Sequence, residues 1–506
     1  MALQLLLLAA GAGLLFITLL RYARNVVFSP LNVFPGPAVA RITNLWRFLD
    51  VFSGHAHLTH IQLHKSYGSA VRIGPNFIIL DEPDLIPVIY GIDGKYAKGP
   101  FYEVGDIQVG RKKFPNLFSS RDERWHTEQL RPIKRCYDMS NILKFEPTID
   151  RVILKFIDIL INRFAAEKER TVCDLGKYLS YFAWDAVAEI TFGAPLGFLD
   201  EGGDVHGLLR GSQESGRYLA RFGQLPTLDK ILTTNPFYQT ESAFSHPVQF
   251  SIQKIEERRA PGYHHAQSDQ EDFLAHFLEI QKASGEEFDM GKMLTWLTIN
   301  VVAGSDTTAS ALNTIMYHLI KNPVHIDSLR RELSELKDAT FPLPYSKAKS
   351  LPFLDAVINE GFRIQPSVGL ALERVVPDGP GLVLPDGRIV PSGTIVGMNA
   401  HALGRHQGIF GENADFFDPT RWLQRAGENA ADFKARYSRM KQCSLTFGAG
   451  SRGCLGKHVS YLEIYKLVPS LVQAFQMSLV NPKQNCLVLN DWFLFAEGLH
   501  TYIRQA

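Results

Sequence analysis

The sequence reads as a chain with long helical stretches and a few short hairpins, preceded by one N-terminal transmembrane helix. Three observations carry this. Long stretches place apolar residues at helical spacing, above all 289–321, 352–364 and 458–475. Short apolar runs separated by Gly, Pro, Asn and Asp, at 70–80 and 382–390, read as hairpins. Ala2 to Leu20 carry no charge and are followed by Arg21 and Arg24. Such a run can just cross a bilayer as a helix, with the basic flank holding the rest of the chain on the cytoplasmic side. A cleaved signal peptide is the competing reading, weakened by the missing basic leader and the long apolar run.

The 506 residues are 45% hydrophobic, enough for a large core, and the 53 basic and 52 acidic side chains nearly cancel. Nothing in that balance calls for a nucleic-acid partner. Five cysteines, at 136, 173, 443, 454 and 486, form no Cys-x-x-Cys pair. An odd count without such spacing argues against a disulfide framework and for a reducing compartment.

In order, the chain divides into an anchor (1–21), a basic, Pro/Gly-containing hinge (22–40) that includes Phe34-Pro35-Gly36-Pro37, and a body (41–506). His55, His57, His60 and His64 could place three imidazoles on one helical face, but no cysteine or carboxylate closes a metal set. Ala70 to Ile73 and Phe77 to Leu80 flank a Gly-Pro-Asn turn, and Asp81 with Pro83 starts a helix. Lys98 to Arg121 lacks periodicity and reads as a long loop of the kind that contacts ligands. Residues 141 to 285 alternate amphipathic segments and polar breaks without a legible motif.

Asp289 to Lys321 is an unbroken helical pattern stopped by Asn322-Pro323. Within it, Ala303-Gly304-Ser305-Asp306-Thr307-Thr308 removes side-chain bulk beside a titratable carboxyl and a hydroxyl. The small residues would let a flat ligand approach, and Asp306 with Thr307 could relay protons. A Gly-containing kink in a buried helix is the plainer alternative. Glu360 and Arg363 share one face of the 352–364 helix, where an exposed pair contributes only a few tenths of a kcal/mol.

Near the C-terminus stands Phe447-Gly448-Ala449-Gly450-Ser451-Arg452-Gly453-Cys454-Leu455-Gly456, running into a helical segment. A soft thiolate here suits haem iron and favours O–O cleavage on the far side of the metal. Glycines let the backbone turn its N–H groups toward the sulfur, and the following helix adds its positive end. Arg452 can meet a haem propionate as a charged fork, and Phe447 would cover the loop from solvent.

This loop matches Phe-Gly-x-Gly-x-Arg-x-Cys-x-Gly and resembles the haem-binding signature of the cytochrome P-450 monooxygenases. The resemblance implies the cytochrome P-450 fold, mainly α with a smaller β-rich part, with haem b between the Asp306 helix and a Cys454 axial ligand, and Phe447, Gly448, Gly450, Arg452 and Gly456 around it. It implies that Arg374, in Glu373-Arg374-Val375-Val376-Pro377, meets a propionate, and that Arg421 closes a buried triad with Glu360 and Arg363. Trp125, His126 and Arg131 are candidates for further propionate contacts, although neither Trp125 nor His126 has an Arg four residues on. Asp306 and Thr307 become the oxygen-activating pair. Lys434, Arg436, Arg439 and Lys441 read either as a solvated helix face or as part of a docking surface for an acidic electron donor.

The implied activity is insertion of one atom of O₂ into an apolar small molecule. Its electrons come from NADPH through a membrane-bound flavoprotein, the NADPH-cytochrome reductase, at the cytosolic face of the endoplasmic reticulum membrane. The Glu-Arg-Val-Val-Pro and Cys-loop variants look most like fungal members of a pisatin demethylase-like group, hence secondary metabolism. Two alternatives stand beside this: a haem-thiolate isomerase or dehydratase, which needs no relay, and a membrane-anchored haem-binding protein without chemistry.

Overall fold

The computed structural model of the chain describes residues 11–506 apart from 14–15, 21, 110–111, 166–170, 236–244, 261–271, 286, 337–339 and 484. The expected membrane span falls largely on residues 2–10 and 14–15, outside the described set. Among the described residues no helix is long and apolar enough to cross a membrane. The Pro/Gly segment, expected as a hinge, is docked rather than free at its C-terminal end. Leu31 and Phe34 are buried, Arg72 N–H donates to Pro35 O at 2.8 Å, and a Cβ on Gly36 would lie 2.1 Å from Arg72 O.

The body opens with α1 (Leu45–Phe52) and α2 (Ala56–Tyr67), then the antiparallel hairpin β1 (Ala70–Gly74) and β2 (Phe77–Leu80). Buried His57 and His60 of α2 face His401 and Asn399, and among the described residues no three His, Cys, Asp or Glu side chains gather into a metal site. The segment read as a loop contains a short hairpin, β3 (Ile107–Val109) and β4 (Lys112–Phe114). Three-residue strands with exposed lysine leave no alternation to read.

Asp122 caps α3 (Glu123–Leu130) by accepting from the N–H groups of Arg124 and Trp125. Next come α4 (Glu146–Leu160), β5 (Val172–Asp174), α5 (Leu175–Phe192), α6 (Leu208–Phe222) and α7 (Pro226–Thr234). The long central helix α8 (Met290–Lys321), capped by Asp289, and α9 (Pro352–Ile364) follow the expected limits within a residue. After β6 (Arg374–Val375), β7 (Leu382–Val383), β8 (Ile389–Val390) and β9 (Ile395–Gly397) come α10 (Ala430–Gln442) and α11 (Lys457–Ala474). The chain ends in β10 (Phe475–Leu479), β11 (Leu487–Asp491), β12 (Phe493–Glu497) and β13 (His500–Gln505).

The main core lies between α4, α5, α8, α9 and α11, where Phe156, Trp184, Trp296, Ile315 and Leu467 are fully buried. Each contributes roughly 1.5–3 kcal/mol of apolar burial. The β-rich part is a sheet in the order β1-β2-β9-β6, with β2 and β9 parallel, over its own core of Phe34, Ile78, Val396 and Met398. A second sheet, β10-β13-β5, ties the end of the chain to the start of α5. The β11–β12 turn brings Trp492, at φ 78°, against Phe101 and Phe118 of the 98–121 segment.

Candidate haem-thiolate site

The loop before α11 is built by two glycines rather than four. Gly448 and Gly450 hold φ of 64° and 63°, and a Cβ on Gly450 would sit 1.9 Å from Tyr90 O. Gly453 and Gly456 have ordinary negative φ; nothing lies within 4 Å of a Cβ on Gly456. Cys454 N–H donates to Phe447 O at 2.7 Å, which closes the loop, while Phe447 packs edge-on against Phe362 of α9 and Tyr461 of α11. The N–H groups of Gly456 and Lys457, at the start of α11, point at the Cys454 sulfur. Burial pushes the thiol up from its ordinary value and those donors work against it. Cys454 keeps accessible surface.

On the other side of this loop, buried cations converge. Lys98, Arg374 and Arg452 act on one another electrostatically, and His126 lies among them, its imidazole pushed down to about 3 by burial, Arg452 and Lys98. Segment 97–99 runs along β6: Val375 N–H donates to Ala97 O and Gly99 N–H to Glu373 O. Arg452 pairs with Glu123 at 2.7 Å and donates to Asp122 O, yet its Nη1 is buried without a partner. Arg374 donates to Glu373 O, and Lys98 to Phe118 O. Among the described residues neither Lys98 nor Arg374 forms an ion pair, and Glu373 is taken by Arg47 at 2.6 Å. Buried cations in excess of carboxylates, with a free guanidinium N–H, fit a ligand with two carboxylates such as haem.

Of the three candidates on α3, His126 is buried in this cluster, Trp125 is half-buried and Arg131 is exposed at the helix C-cap. Arg131 lies five residues beyond His126, nearly one and a half turns on, so the two cannot share a face. Lys98 is the residue that the sequence reading misses. It sits in a Gly- and Phe-rich stretch, and only its position beside Tyr102 and Phe118, 4.3 and 4.7 Å from the ring centres, marks it as buried.

On α8, Thr307 Oγ1 donates to Ala303 O at 2.6 Å, and Ser367 Oγ reaches Thr307 O at 2.7 Å. Thr308 and Ser460 hydroxyls, 3.4 Å apart, tie α8 to α11. Asp306 does not touch Thr307. It is buried and points toward α5 and α6, accepting from Trp184 Nε1 at 3.1 Å and Ser212 Oγ at 2.6 Å. Burial raises its carboxyl to about 6, against the pull of those two donors. Gly304 serves packing, not ligand approach: a Cβ there would meet Val187 of α5 at 2.8 Å.

Glu360 is the anchor of a closed network. Its carboxylate takes Arg363 Nη2 at 2.6 Å and Nε at 2.7 Å, Arg421 Nε at 3.0 Å, Asp418 N–H at 2.7 Å and Trp422 Nε1 at 2.8 Å. Carbonyls of Gly404, Ala414 and Phe416 accept from Arg363. The basic cluster on α10 is largely self-engaged: Arg436 pairs with Glu428, Arg439 with Asp84, and Lys441 donates to Asn359.

The family model for cytochrome P450 matches residues 35–502. Cytochrome P450 monooxygenase cicH of Emericella nidulans is 36% identical over 94% of this chain and 94% of its own length. A cytochrome P450 monooxygenase of Aspergillus terreus is 37% identical over 88% and 90%. Cytochrome P450 monooxygenase mpaDE' of Penicillium brevicompactum is 35% identical over 96% of this chain, which spans 56% of that longer protein. Haem on a cysteine thiolate, with electrons supplied by a reductase, comes with the family. The N–H groups aimed at Cys454 and the cations left over around Arg374 are what such a group needs, and the chain belongs to the cytochrome P450 family, as a monooxygenase.

Proposed function

We propose that this monooxygenase inserts one oxygen atom into an apolar small molecule, by hydroxylation, epoxidation or oxidative demethylation, in fungal secondary metabolism. A pisatin demethylase-like subgroup is the reading that its Cys-loop variants favour. When bound, haem b supplies the oxygen-activating chemistry. Cys454 would ligate its iron, with the N–H groups of Gly456 and Lys457 steadying the sulfur and Phe447 shielding it. Arg374, Arg452, Lys98 and His126 would hold the propionates. The observation that carries monooxygenation over haem-thiolate isomerisation is Asp306, a buried carboxyl adjacent in sequence to Thr307 and held by Trp184 and Ser212, which burial raises to about 6.

Electrons would come from NADPH through a membrane-bound reductase at the cytosolic face of the endoplasmic reticulum. Support for the membrane comes from apolar residues left facing outward at the N-terminal side. Ile42, Leu45, Leu49 and Phe52 line one exposed stripe of α1 and its approach, Leu49 at 58%, and Phe28 is 77% exposed. The experiment is co-expression with a reductase in yeast microsomes, fed with extracts of candidate apolar substrates. Reduced, CO-treated membranes should show a thiolate-ligated Soret band, and NADPH-dependent oxygenated product should vanish in Cys454→Ser. Undiminished product from that variant overturns the reading.

A further inference from the structure

We propose that Ser212 and Trp184 are positioning residues of the proton path, acting on the site only through the Asp306 carboxyl that they hold. The inference rests on the reading of Asp306 as proton donor. Consecutive residues on a helix point about 100° apart, so Thr307 lies against the Ala303 carbonyl while Asp306 faces away from it, into the contact of α8 with α5 and α6. There each carboxyl oxygen has one partner: Trp184 Nε1 on one, Ser212 Oγ on the other. Both donors are neutral, and Asp306 is 1% exposed.

This is the reverse of how a structural carboxylate is kept. Among the described residues no cation compensates the ionised form, so two neutral hydrogen bonds oppose the cost of burying the charge, and the proton is held up to about pH 6. The titratable groups on the packed helices, Asp185 and Glu189 of α5 and Arg210, Glu214 and Arg217 of α6, are not among the causes of that shift. The Ser212 contact is the shorter of the two and belongs to a separate helix. The carboxyl must turn out of it to pass a proton toward Thr307. A hydroxyl is both donor and acceptor, so Ser212 steadies the ionised form while the carboxyl is reprotonated. Neither Trp184 nor Ser212 belongs to a motif, and they lie 122 and 94 residues from Asp306 in sequence.

The test uses the holoenzyme and four variants: Ser212→Ala, Ser212→Thr, Trp184→Phe and Asp306→Asn. Infrared difference titration follows the buried carboxyl, and product formed per NADPH consumed is measured across pH. A hydrogen bond donated to a carboxylate favours ionisation, so its loss raises the midpoint. Ser212→Ala should move the carboxyl midpoint up by about one pH unit, shift the coupling profile equally, and leave haem content unchanged. Ser212→Thr should restore both, and Trp184→Phe should shift them less. A Ser212→Ala titration superimposed on that of the unmodified enzyme overturns the proposal. A coupling profile untouched by Asp306→Asn overturns instead the underlying role of Asp306, a result that the infrared titration separates from failure of the Ser212 contact.

Discussion

Glu360, Arg363 and Arg421 on one side of the Cys454 loop, and Lys98, Arg374 and Arg452 on the other, are all buried charges, yet they end differently. In the first set one carboxylate receives five donors, and the surplus guanidinium N–H groups go to backbone carbonyls. In the second set the one paired carboxylate, Glu123, is bound to Arg452 and only weakly offsets Lys98, and Arg452 Nη1 still lacks a partner. Burying charge is tolerated when the partners are supplied. Where the protein supplies them itself, the network is architecture; where it leaves them out, the network is open to a ligand.

The largest effect expected from this contrast is at Glu360. Glu360→Ala leaves two guanidiniums, 1% and 3% exposed, without their counter-charge. The cost is on the order of 3–5 kcal/mol, a large part of the total stability of about 5–15 kcal/mol of a folded domain. The variant should yield no soluble haem protein, with Arg363→Ala close behind, measured as haem content and resistance to proteolysis. Normal haem content in either would place the closed network among the dispensable ones.

Smaller effects are expected at Arg374 and Arg452. On the proposal that these side chains hold the propionates, Arg374→Met or Arg452→Met removes a charge-assisted hydrogen bond to a carboxylate, worth about 1.5–3 kcal/mol, so haem should be released roughly 10- to 100-fold more readily. The Arg374→Met apo fold should melt no lower than the parent, because a buried cation without an ion pair has been taken away, whereas Arg452→Met also breaks the pair with Glu123 and should melt somewhat lower. Haem transfer to apomyoglobin and thermal melting of the apo-protein separate the two quantities. A fall in apo stability comparable to that of Glu360→Ala would erase the distinction between the networks.

The closed network was half legible in the sequence and the open one less so, for a physical reason. Glu360 and Arg363 belong to one helix, where spacing forces them onto one face, and the Cys454 loop is a contiguous run whose chemistry demands fixed residue types. Trp422, which donates the fifth bond to Glu360, carries no such signature. Lys98 meets Arg374 and Arg452 only because β6 runs beside residues 97–99 and the Cys454 loop folds back on Tyr90. Pairings across hundreds of residues leave no periodicity behind. The same holds for Trp184 and Ser212, which lie in the stretch where amphipathic helices were expected but no motif could be read. Gly304 shows the opposite: its small size suggests ligand approach in the sequence, but the neighbour it accommodates is Val187 of α5.

The smallest effect, and the one that discriminates best, is at Lys98. A single ammonium among three cations should matter to haem by about tenfold, less than either arginine. Its sharper signature is in the pH dependence of the apo fold. Burial, Arg374 and Arg452 all lower its proton affinity well below the model-compound value of 10.5. Below pH 10.5 the unfolded chain therefore keeps a proton that the apo fold gives up more readily. Unfolding then takes up protons, and apo stability rises with pH toward 10.5. Lys98→Met should remove that contribution to the slope and raise apo stability at neutral pH, and bound haem should flatten the slope in the parent by supplying the counter-charge. Parallel chemical-denaturation curves of apo parent and variant between pH 7 and pH 10 decide it. If the two slopes coincide, Lys98 has its compensation within the protein, and the cluster is closed after all.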